Sequence, residues 1–114
     1  MTAFRILLVA SLMGISGYTA IVVADHGINL FPDFLGDIAA FGWPGQFNVD
    51  FLSFLTLSAL WVAWRHRFSA AGLCLAVPAF FGGGLFLTVY LLIASFAAGG
   101  DARILLLGPD RARA

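Results

Sequence analysis

Residues 48–67, NVDFLSFLTLSALWVAWRHR, form an apolar stretch with polar residues at both ends. A helix that crosses a bilayer needs about 20 mostly apolar residues, with aromatic rings at the interfaces and basic residues on the cytoplasmic side. The stretch begins with Asn48 and Asp50. At its other end lie tryptophan and basic residues, namely Trp61, Trp64, Arg65, His66 and Arg67. The sequence therefore predicts a membrane protein.

The composition supports this prediction. The chain has 114 residues, of which 61% are hydrophobic and 11% are charged, whereas soluble domains carry roughly 25% charged residues. A soluble domain of this length has no means of burying so much apolar surface, so lipid must be its solvent. Basic and acidic residues cancel in number. No cluster of positive charge is present, and we expect no nucleic-acid partner.

Two further apolar segments have the length of a membrane span. We predict spans at about residues 4–24, 48–64 and 71–98, an interfacial segment over 31–47 and a tail over 99–114. The predicted fold is thus an all-α membrane protein, a single domain of three transmembrane helices with a short interfacial helix in the first connection. The first span is longer than the apolar core of a signal peptide, so we expect it to be retained.

Small residues mark the faces where the spans are expected to pack. On the first span Ser11, Gly14, Gly17 and Tyr18 share one side, which predicts close contact with a neighbour. In the third span, Pro78 should kink the helix and the glycine run 82–84 should weaken its middle. Such glycines either break the helix or admit a close neighbour. One face of this span is predicted to meet the first span, and it carries Gly84, Thr88 and Ser95.

The interfacial segment is framed by Pro32 and Pro44, and residues 33–41 between them predict a short amphipathic helix. Its aromatic rings suit the headgroup region, and they include Trp43.

Orientation is ambiguous, because three spans place Arg5, Arg65 and Arg67 on one side of the membrane. They place the other three arginines, Arg103, Arg111 and Arg113, on the side of the first loop. Since Arg65 and Arg67 directly adjoin a span, we predict a cytoplasmic N-terminus with an external first loop and tail, in a bacterial inner membrane.

Polar residues at the acidic ends of the first two spans are the sharpest candidates for a site. If these spans are antiparallel neighbours, their acidic ends meet at one membrane face, where two carboxylates near a histidine would share protons, bind a cation or grip a lipid headgroup. The alternative is helix capping by Asn48 and Asp50. The candidate polar pocket consists of Tyr18, Asp25, His26, Asn48, Asp50 and Ser53.

Other chemistry has little support in the sequence. The basic, tryptophan-rich end of the second span predicts interface anchors, and the alternative is recognition of an anionic headgroup by Arg65 and Arg67. The predicted anchors are Trp43, Trp61, Trp64, Arg65 and Arg67.

The two histidines are expected at opposite faces, so we predict no metal site. We also predict no cofactor and no catalytic residue, because nucleophile and phosphate-loop motifs are missing.

The loop and second span resemble those of small three-span bacterial membrane proteins that are catalogued as domains of unknown function. The residues that carry this resemblance are Gly42-Trp43-Pro44-Gly45-Gln46-Phe47-Asn48-x-Asp50-Phe51 and Trp61-x-x-Trp64-Arg65-His66. The resemblance implies the fold and brings no activity. A looser similarity, in size and span number, is to three-span isoprenoid and carotenoid cyclase subunits. Those carry a Pro-x-Glu-Glu motif, and this chain has no Glu.

We therefore expect a non-enzymatic integral membrane protein, a structural or accessory subunit or a self-associating protein. Its expected partners are the lipid bilayer and either further copies of itself or a larger membrane complex. The alternative function is a lipid- or isoprenoid-handling protein, possibly an enzyme, with its polar pocket at the Asp50 end of the second span. A proton- or ion-linked transport role ranks last, because three spans without an inverted repeat make a poor pathway.

Overall fold

The computed structural model describes residues 1–113, which fold into six helices and no strand. Three of the helices are long and apolar enough to cross a membrane, and they are α1, α3 and α4. The predicted all-α class of multi-pass membrane protein is thereby confirmed. The six helices are α1 (Thr2–His26), α2 (Phe31–Ala39), α3 (Trp43–Arg65), α4 (Ala70–Ala97), α5 (Ala102–Leu107) and α6 (Pro109–Ala112).

The prolines of the first connection open helices rather than interrupt them. Pro32 lies in the first turn of α2 and Pro44 in the first turn of α3, where a missing N–H costs nothing. Helix α3 therefore starts at Trp43, five residues before the predicted start at 48, and its N-cap is Gly42. The short helix predicted in the first connection exists, and it begins and ends two residues earlier than the predicted range 33–41.

Helix α2 packs against the start of α3. The side-chain amide of Asn48 donates to the carbonyl of Phe34 at 3.1 Å, which ties the two helices together. A Cβ at Gly45 would collide with the carbonyl oxygen of Asp37, so only glycine permits this close approach. Asn48 is thus an interhelical clamp, and its predicted role as an N-cap is wrong because α3 begins earlier.

Helix α4 turns back on itself at Gly83, whose φ of 55° and ψ of −135° are non-helical and favour glycine. His66 touches both halves of the helix. In the first half, a Cβ on Gly72 would lie 2.6 Å from the Cβ of His66. In the second half, the hydroxyl of Tyr90 lies 2.7 Å from the Nε2 of His66. A straight helix would separate Gly72 from Tyr90 by about 27 Å. The weak point predicted at 82–84 is therefore a reversal between a first arm (70–82) and a second arm (84–97).

The second arm lies between α1 and α3. It runs parallel to α3, because Gly83 meets Phe51 and Leu55 at one level while Tyr90 meets Arg65 further along. It runs antiparallel to α1. A Cβ at Gly84 would lie 3.0 Å from Ile15 Cδ1, and Arg5 bonds to Ser95, which confirms the predicted contact of this face with the first span.

Lipid tolerates a broken helix only where protein or water covers the break. Gly83 is buried, and the ring of Phe51 and the side chain of Leu55 cover it from α3. Each arm is about 20 Å long at 1.5 Å per residue, which is shorter than the roughly 30 Å hydrocarbon layer. The two arms therefore enter and leave the bundle at the same end.

Candidate functional site

All six arginines of the chain lie at one end of the bundle, here called the arginine end. The reversal of α4 brings the tail back beside the C-terminus of α3, where Arg65 Nε donates to the Leu105 carbonyl at 2.7 Å and Arg111 donates to the Trp64 carbonyl. The prediction that the tail lies on the side of the first loop is therefore wrong. The arginine end contains Arg5, Arg65, Arg67, Arg103, Arg111 and Arg113.

Arg65 is a buried junction between three helices. Its side chain is only 9% exposed, and all three guanidinium nitrogens donate to protein oxygens. Beyond the bond to Leu105, Nη1 donates to the Tyr90 hydroxyl at 3.1 Å and Nη2 to the Ile104 carbonyl at 3.4 Å. Arg65 thus joins α3 to α4 and α5. The predicted headgroup-anchor role does not describe this side chain, because its donors face inward.

Tyr90 links Arg65 to His66. Since the Tyr90 hydroxyl accepts from Arg65, its own proton is available to His66 Nε2 at 2.7 Å, and a neutral imidazole accepts it. Burial and the positive charge of Arg65 lower the pKa of His66 from 6.5. Both causes favour the neutral imidazole that this arrangement needs. Trp61 adds a further link, because its Nε1 donates to the Leu106 carbonyl at 3.1 Å.

The remaining predicted anchors lie in different settings. The guanidinium of Arg111 lies 4.1 Å from the ring centre of Trp64, so Trp64 contributes to holding the tail. Trp43 is 73% exposed at the start of α3 and packs on Phe47 with ring centres 6.1 Å apart. Arg67 is exposed in the turn after α3. Trp43 and Arg67 are thus placed where interface contacts are possible, at opposite ends of α3.

The opposite end of the bundle, here called the acidic end, carries four aspartates and no arginine or lysine. It combines the end of α1, helix α2 and the start of α3. Asp25 and His26 lie in the last turn of α1, and their predicted placement at the same end as Asp50 is confirmed by the antiparallel course of α1 and α3. The four aspartates are Asp25, Asp33, Asp37 and Asp50.

Asp50 and Ser53 line a cavity of about 480 Å³ between α2 and α3, here called the Asp50 cavity. Its polar lining also includes Gln46. Within residues 1–113 the Asp50 carboxylate has no hydrogen-bond or ion-pair partner. The predicted alternative that Asp50 caps its own helix is wrong, because it lies beyond the first turn of α3. The lining residues are Ile38, Phe41, Gly42, Gly45, Gln46, Val49, Asp50 and Ser53.

The structure brings together only part of the predicted polar pocket. Asn48 is engaged with α2. Asp25 and His26 are exposed, and Tyr18 is 75% exposed. None of these four side chains lines the Asp50 cavity. They remain apart because α1 packs on α4 rather than along α3.

An apolar groove of about 700 Å³ separates α1 from α3, with the second arm of α4 as its floor. Phe51, Phe54 and Leu57 form its α3 wall and Trp61 lies at its far end. Among the described residues, the Ser58 hydroxyl on this wall is buried without a hydrogen-bond partner. Apart from Ser58 and the Trp61 indole, the side chains that line the groove are apolar. The complete lining is Phe4, Phe51, Phe54, Leu55, Leu57, Ser58, Trp61, Gly83, Gly84, Leu87, Leu91, Leu105 and Leu106.

Two important residues escaped prediction from the sequence. Tyr90 lies in an apolar run, and its contact with Arg65 depends on the reversal of α4, so no local pattern reveals it. Gln46 carried a usable signal, because helical spacing places it one turn before Asp50 once α3 is started at Trp43.

Comparisons with family models, curated proteins and solved structures gave no match to this chain. The resemblance to small three-span membrane proteins of unknown function therefore stays a prediction. Across residues 1–113, no three His, Cys, Asp or Glu side chains converge in the way that metal ligands do. The features that bear on function are accordingly the two ends of the bundle, the groove and the exposed helix faces.

Proposed function

We propose that this chain is a non-enzymatic integral membrane protein of the bacterial inner membrane that serves as a structural or accessory subunit. It associates with copies of itself or with a larger membrane complex. The observation that carries this proposal is the unpartnered side of α1. Of the whole helix only Leu8 is buried, although the helix is 25 residues long.

The side of α1 that faces away from α4 is shaped for another helix. A Cβ at Gly14 or at Gly17 would meet nothing within 4 Å, and Tyr18 is exposed on the same side. Apolar helices gain little by associating in lipid unless small residues allow close backbone packing. Helix α1 uses Leu8 and Ile15 against the rest of this chain. Its small-residue side is therefore free for a second chain.

The proposed orientation places the arginine end in the cytoplasm. Basic residues near span ends determine orientation, whereas acidic residues contribute little. Because the tail returns to the arginine end, one end of the bundle carries all six arginines and the other end carries none. Three straight spans would place three arginines on each side of the membrane. Both termini are then cytoplasmic and the α1–α2 connection is external.

Cross-linking in native membranes tests the association. The wild-type chain should give a dimer or a defined larger species, and Gly14→Leu with Gly17→Leu should reduce it by about tenfold. Val23→Phe is the matched control, because Val23 lies half a helical turn away from Gly14 around the axis and should leave the product unchanged. A wild-type chain that remains monomeric and co-purifies with no protein contradicts the proposal.

A second candidate function is the handling of a lipid or isoprenoid. It is supported by two separate features that both border α3, a pocket with a polar lining at Asp50 and an apolar groove. Purification from native membranes followed by lipid extraction tests it. A defined lipid that remains bound after exchange into a short-chain detergent supports the candidate, and retention of only the bulk lipid mixture contradicts it.

A further inference from the structure

We propose that α5 is a strap that closes the apolar groove at the arginine end, and that protonation of His66 releases it. The Tyr90 hydroxyl, which Arg65 and His66 share, couples the proton to the strap. Control of access to the groove is a property of this chain beyond its proposed association with other chains. It follows from the position of α5, from the bonds that hold this helix and from the single proton of Tyr90.

Helix α5 lies across the arginine end of the groove. Leu105 and Leu106 line the groove there, between Phe4 of α1 and Trp61 of α3. Leu105 is only 4% exposed and packs in one cluster with residues of the second arm of α4 and with Phe4. The strap thus meets both walls and the floor. The groove opens at this end only if α5 moves away.

Three side-chain donors of α3 hold the last carbonyls of the strap. Arg65 Nε donates to Leu105 at 2.7 Å and Nη2 to Ile104 at 3.4 Å, while Trp61 Nε1 donates to Leu106 at 3.1 Å. Gly108 follows the strap, and a Cβ there would lie 2.6 Å from the Arg65 carbonyl oxygen. Since six residues do not form a stable helix alone, these contacts with α3 determine whether α5 stays docked.

The Tyr90 hydroxyl makes the hold of Arg65 sensitive to His66. The hydroxyl accepts from Arg65 Nη1 at 3.1 Å and donates to His66 Nε2 at 2.7 Å. Its other close neighbours are the rings of Trp61 and Phe86, which provide no oxygen acceptor. A protonated His66 has no free lone pair, so the Tyr90 proton loses its acceptor and an imidazolium faces the guanidinium. Release of α5 relieves both costs, because Arg65 and Tyr90 then reach water.

Acid therefore favours release. Burial and the charge of Arg65 lower the pKa of His66 from 6.5, so the docked state binds the proton less readily than the released state. Release increases as the pH falls through 6.5 towards the docked-state pKa. Among residues 1–113 no carboxylate pairs with His66 or Arg65, and the first arm of α4 presents only Gly72 to the imidazole.

Other charged groups surround the docked tail, and the test must separate them from His66. Met1 lies near the start of the tail, because a Cβ at Gly100 would lie 3.6 Å from its Cβ. The other charged groups are the Met1 amino group, Arg5, Arg67, Asp101, Arg103, Asp110, Arg111 and Arg113. A response to pH that depends on His66 alone excludes all of these as its source.

Electron paramagnetic resonance of the full-length protein in nanodiscs tests the proposal, because nitroxide mobility is read without a pH-dependent reaction. In a Cys74→Ser background the label is attached at Ala102→Cys, at the exposed start of α5. We expect the ratio of mobile to immobile label to rise about tenfold from about pH 7.5 to about pH 5.5, the equivalent of one lost hydrogen bond. A label at Leu60→Cys on α3 should not change, because the bundle stays folded.

His66→Gln should abolish the rise and Tyr90→Phe should reduce it by more than half, whereas His26→Gln at the other end of the bundle should keep it. The proposal is overturned by a tail label that ignores pH, by a rise that persists in His66→Gln or is lost in His26→Gln, or by equal mobilisation of the Leu60→Cys label. A full response in a folded Tyr90→Phe overturns the coupling through the hydroxyl. The comparison of His66→Gln with His26→Gln decides the proposal even where Tyr90→Phe does not fold.

Discussion

At the scale of single residues, Arg65 has the most partners at the arginine end. An ionised group that is 9% exposed is tolerated only if its donors are satisfied, and here two backbone carbonyls of α5 and the Tyr90 hydroxyl accept them. A six-residue helix such as α5 is too short to be stable alone. We infer that Arg65 holds α5 against the bundle.

Replacing Arg65 should release the tail. Arg65→Met removes three hydrogen bonds from a charged donor and takes the arginine donor from the Leu105 carbonyl, while the Ile104 carbonyl still accepts from the Gly108 N–H. We expect the free energy of unfolding to fall by about 2–4 kcal/mol. Thermal unfolding in detergent, with limited proteolysis of residues 99–113, measures both effects. The control is Arg67→Met in the exposed turn, which should change stability by less than about 0.5 kcal/mol. Equal effects of the two variants would contradict this role.

His66 should make the stability of the arginine end depend on pH. Its pKa is lowered from 6.5 by burial and by Arg65, so the unfolded chain binds the proton more readily than the folded chain. The stabilisation is present above pH 6.5 and decreases as the pH falls through that value towards the folded-state pKa. We therefore expect a lower unfolding temperature at about pH 5.5 than at about pH 7.5.

His66→Gln should flatten this pH dependence, because no imidazole remains to be protonated beside Arg65. His26→Gln is the matched control, since His26 is exposed at the other end of the bundle and its removal should preserve the wild-type slope. Unfolding followed by circular dichroism across this pH range provides the measurement. If the pH dependence of the unfolding temperature persisted in His66→Gln and vanished in His26→Gln, it would arise from His26 and the prediction would be wrong.

At the scale of helices, the reversal in α4 determines where everything after residue 83 lies. It depends on a backbone conformation that favours glycine and on a close approach from α3. The two neighbouring glycines do not have a positive φ. A Cβ at Gly84 would meet Ile15 of α1, and one at Gly82 would meet the side chain of Phe86. Of the three glycines at 82–84, Gly83 is the one where a positive φ and a close neighbour both exclude a side chain.

Gly83→Ala should therefore destabilise the fold. A Cβ at this position would lie 2.8 Å from Phe51 Cζ, at a φ of +55°, and we expect a cost of about 1–3 kcal/mol. Gly36→Ala is the control, because α2 is helical there and a Cβ would meet nothing within 4 Å. Denaturant unfolding of both variants compares them. A neutral Gly83→Ala would show that the backbone does not need glycine at this point.

The sequence revealed the helices of this fold better than their connections. The apolar runs located α1, α3 and α4 to within a few residues, because lipid requires long uninterrupted helices. The start of α3 was misplaced, since a proline breaks a helix interior and also suits a first turn. The end of α4 was placed at the wrong face, because a glycine run permits either close packing or a reversal, and only contacts with Phe51 and His66 select between them.

For the candidate site too, the sequence predicted what lies on one helix better than how the helices are arranged. Asp50 and Ser53 were recognised because their spacing puts them on one helix, and they do line one cavity. A shared pocket with Asp25, His26 and Tyr18 requires the first two spans to pack together, whereas α1 packs on α4. Which helices are neighbours depends on the second arm of α4, which lies between α1 and α3. Short-range patterns along the chain do not determine this arrangement.

At the scale of the whole molecule, charge is separated along the bundle. Six arginines lie at one end and four aspartates without any basic residue except His26 lie at the other. A straight α4 would divide the arginines equally between the two membrane faces. The reversal at Gly83 instead gathers all six at one end, and the proposed orientation rests on this asymmetry.

This arrangement makes a prediction that distinguishes the reversal from a third straight span. In a Cys74→Ser background, single cysteines at Ile28, Phe68 and Ala102 report on the α1–α2 connection, the turn after α3 and the start of α5. A membrane-impermeant maleimide applied to spheroplasts should label Ile28→Cys, because Ile28 is 85% exposed at the acidic end. Phe68→Cys and Ala102→Cys should both require lysis, since the second arm returns the chain to the arginine end. Labelling of Ala102→Cys together with Ile28→Cys in intact spheroplasts would mean that α4 crosses the membrane and that its arms do not pair.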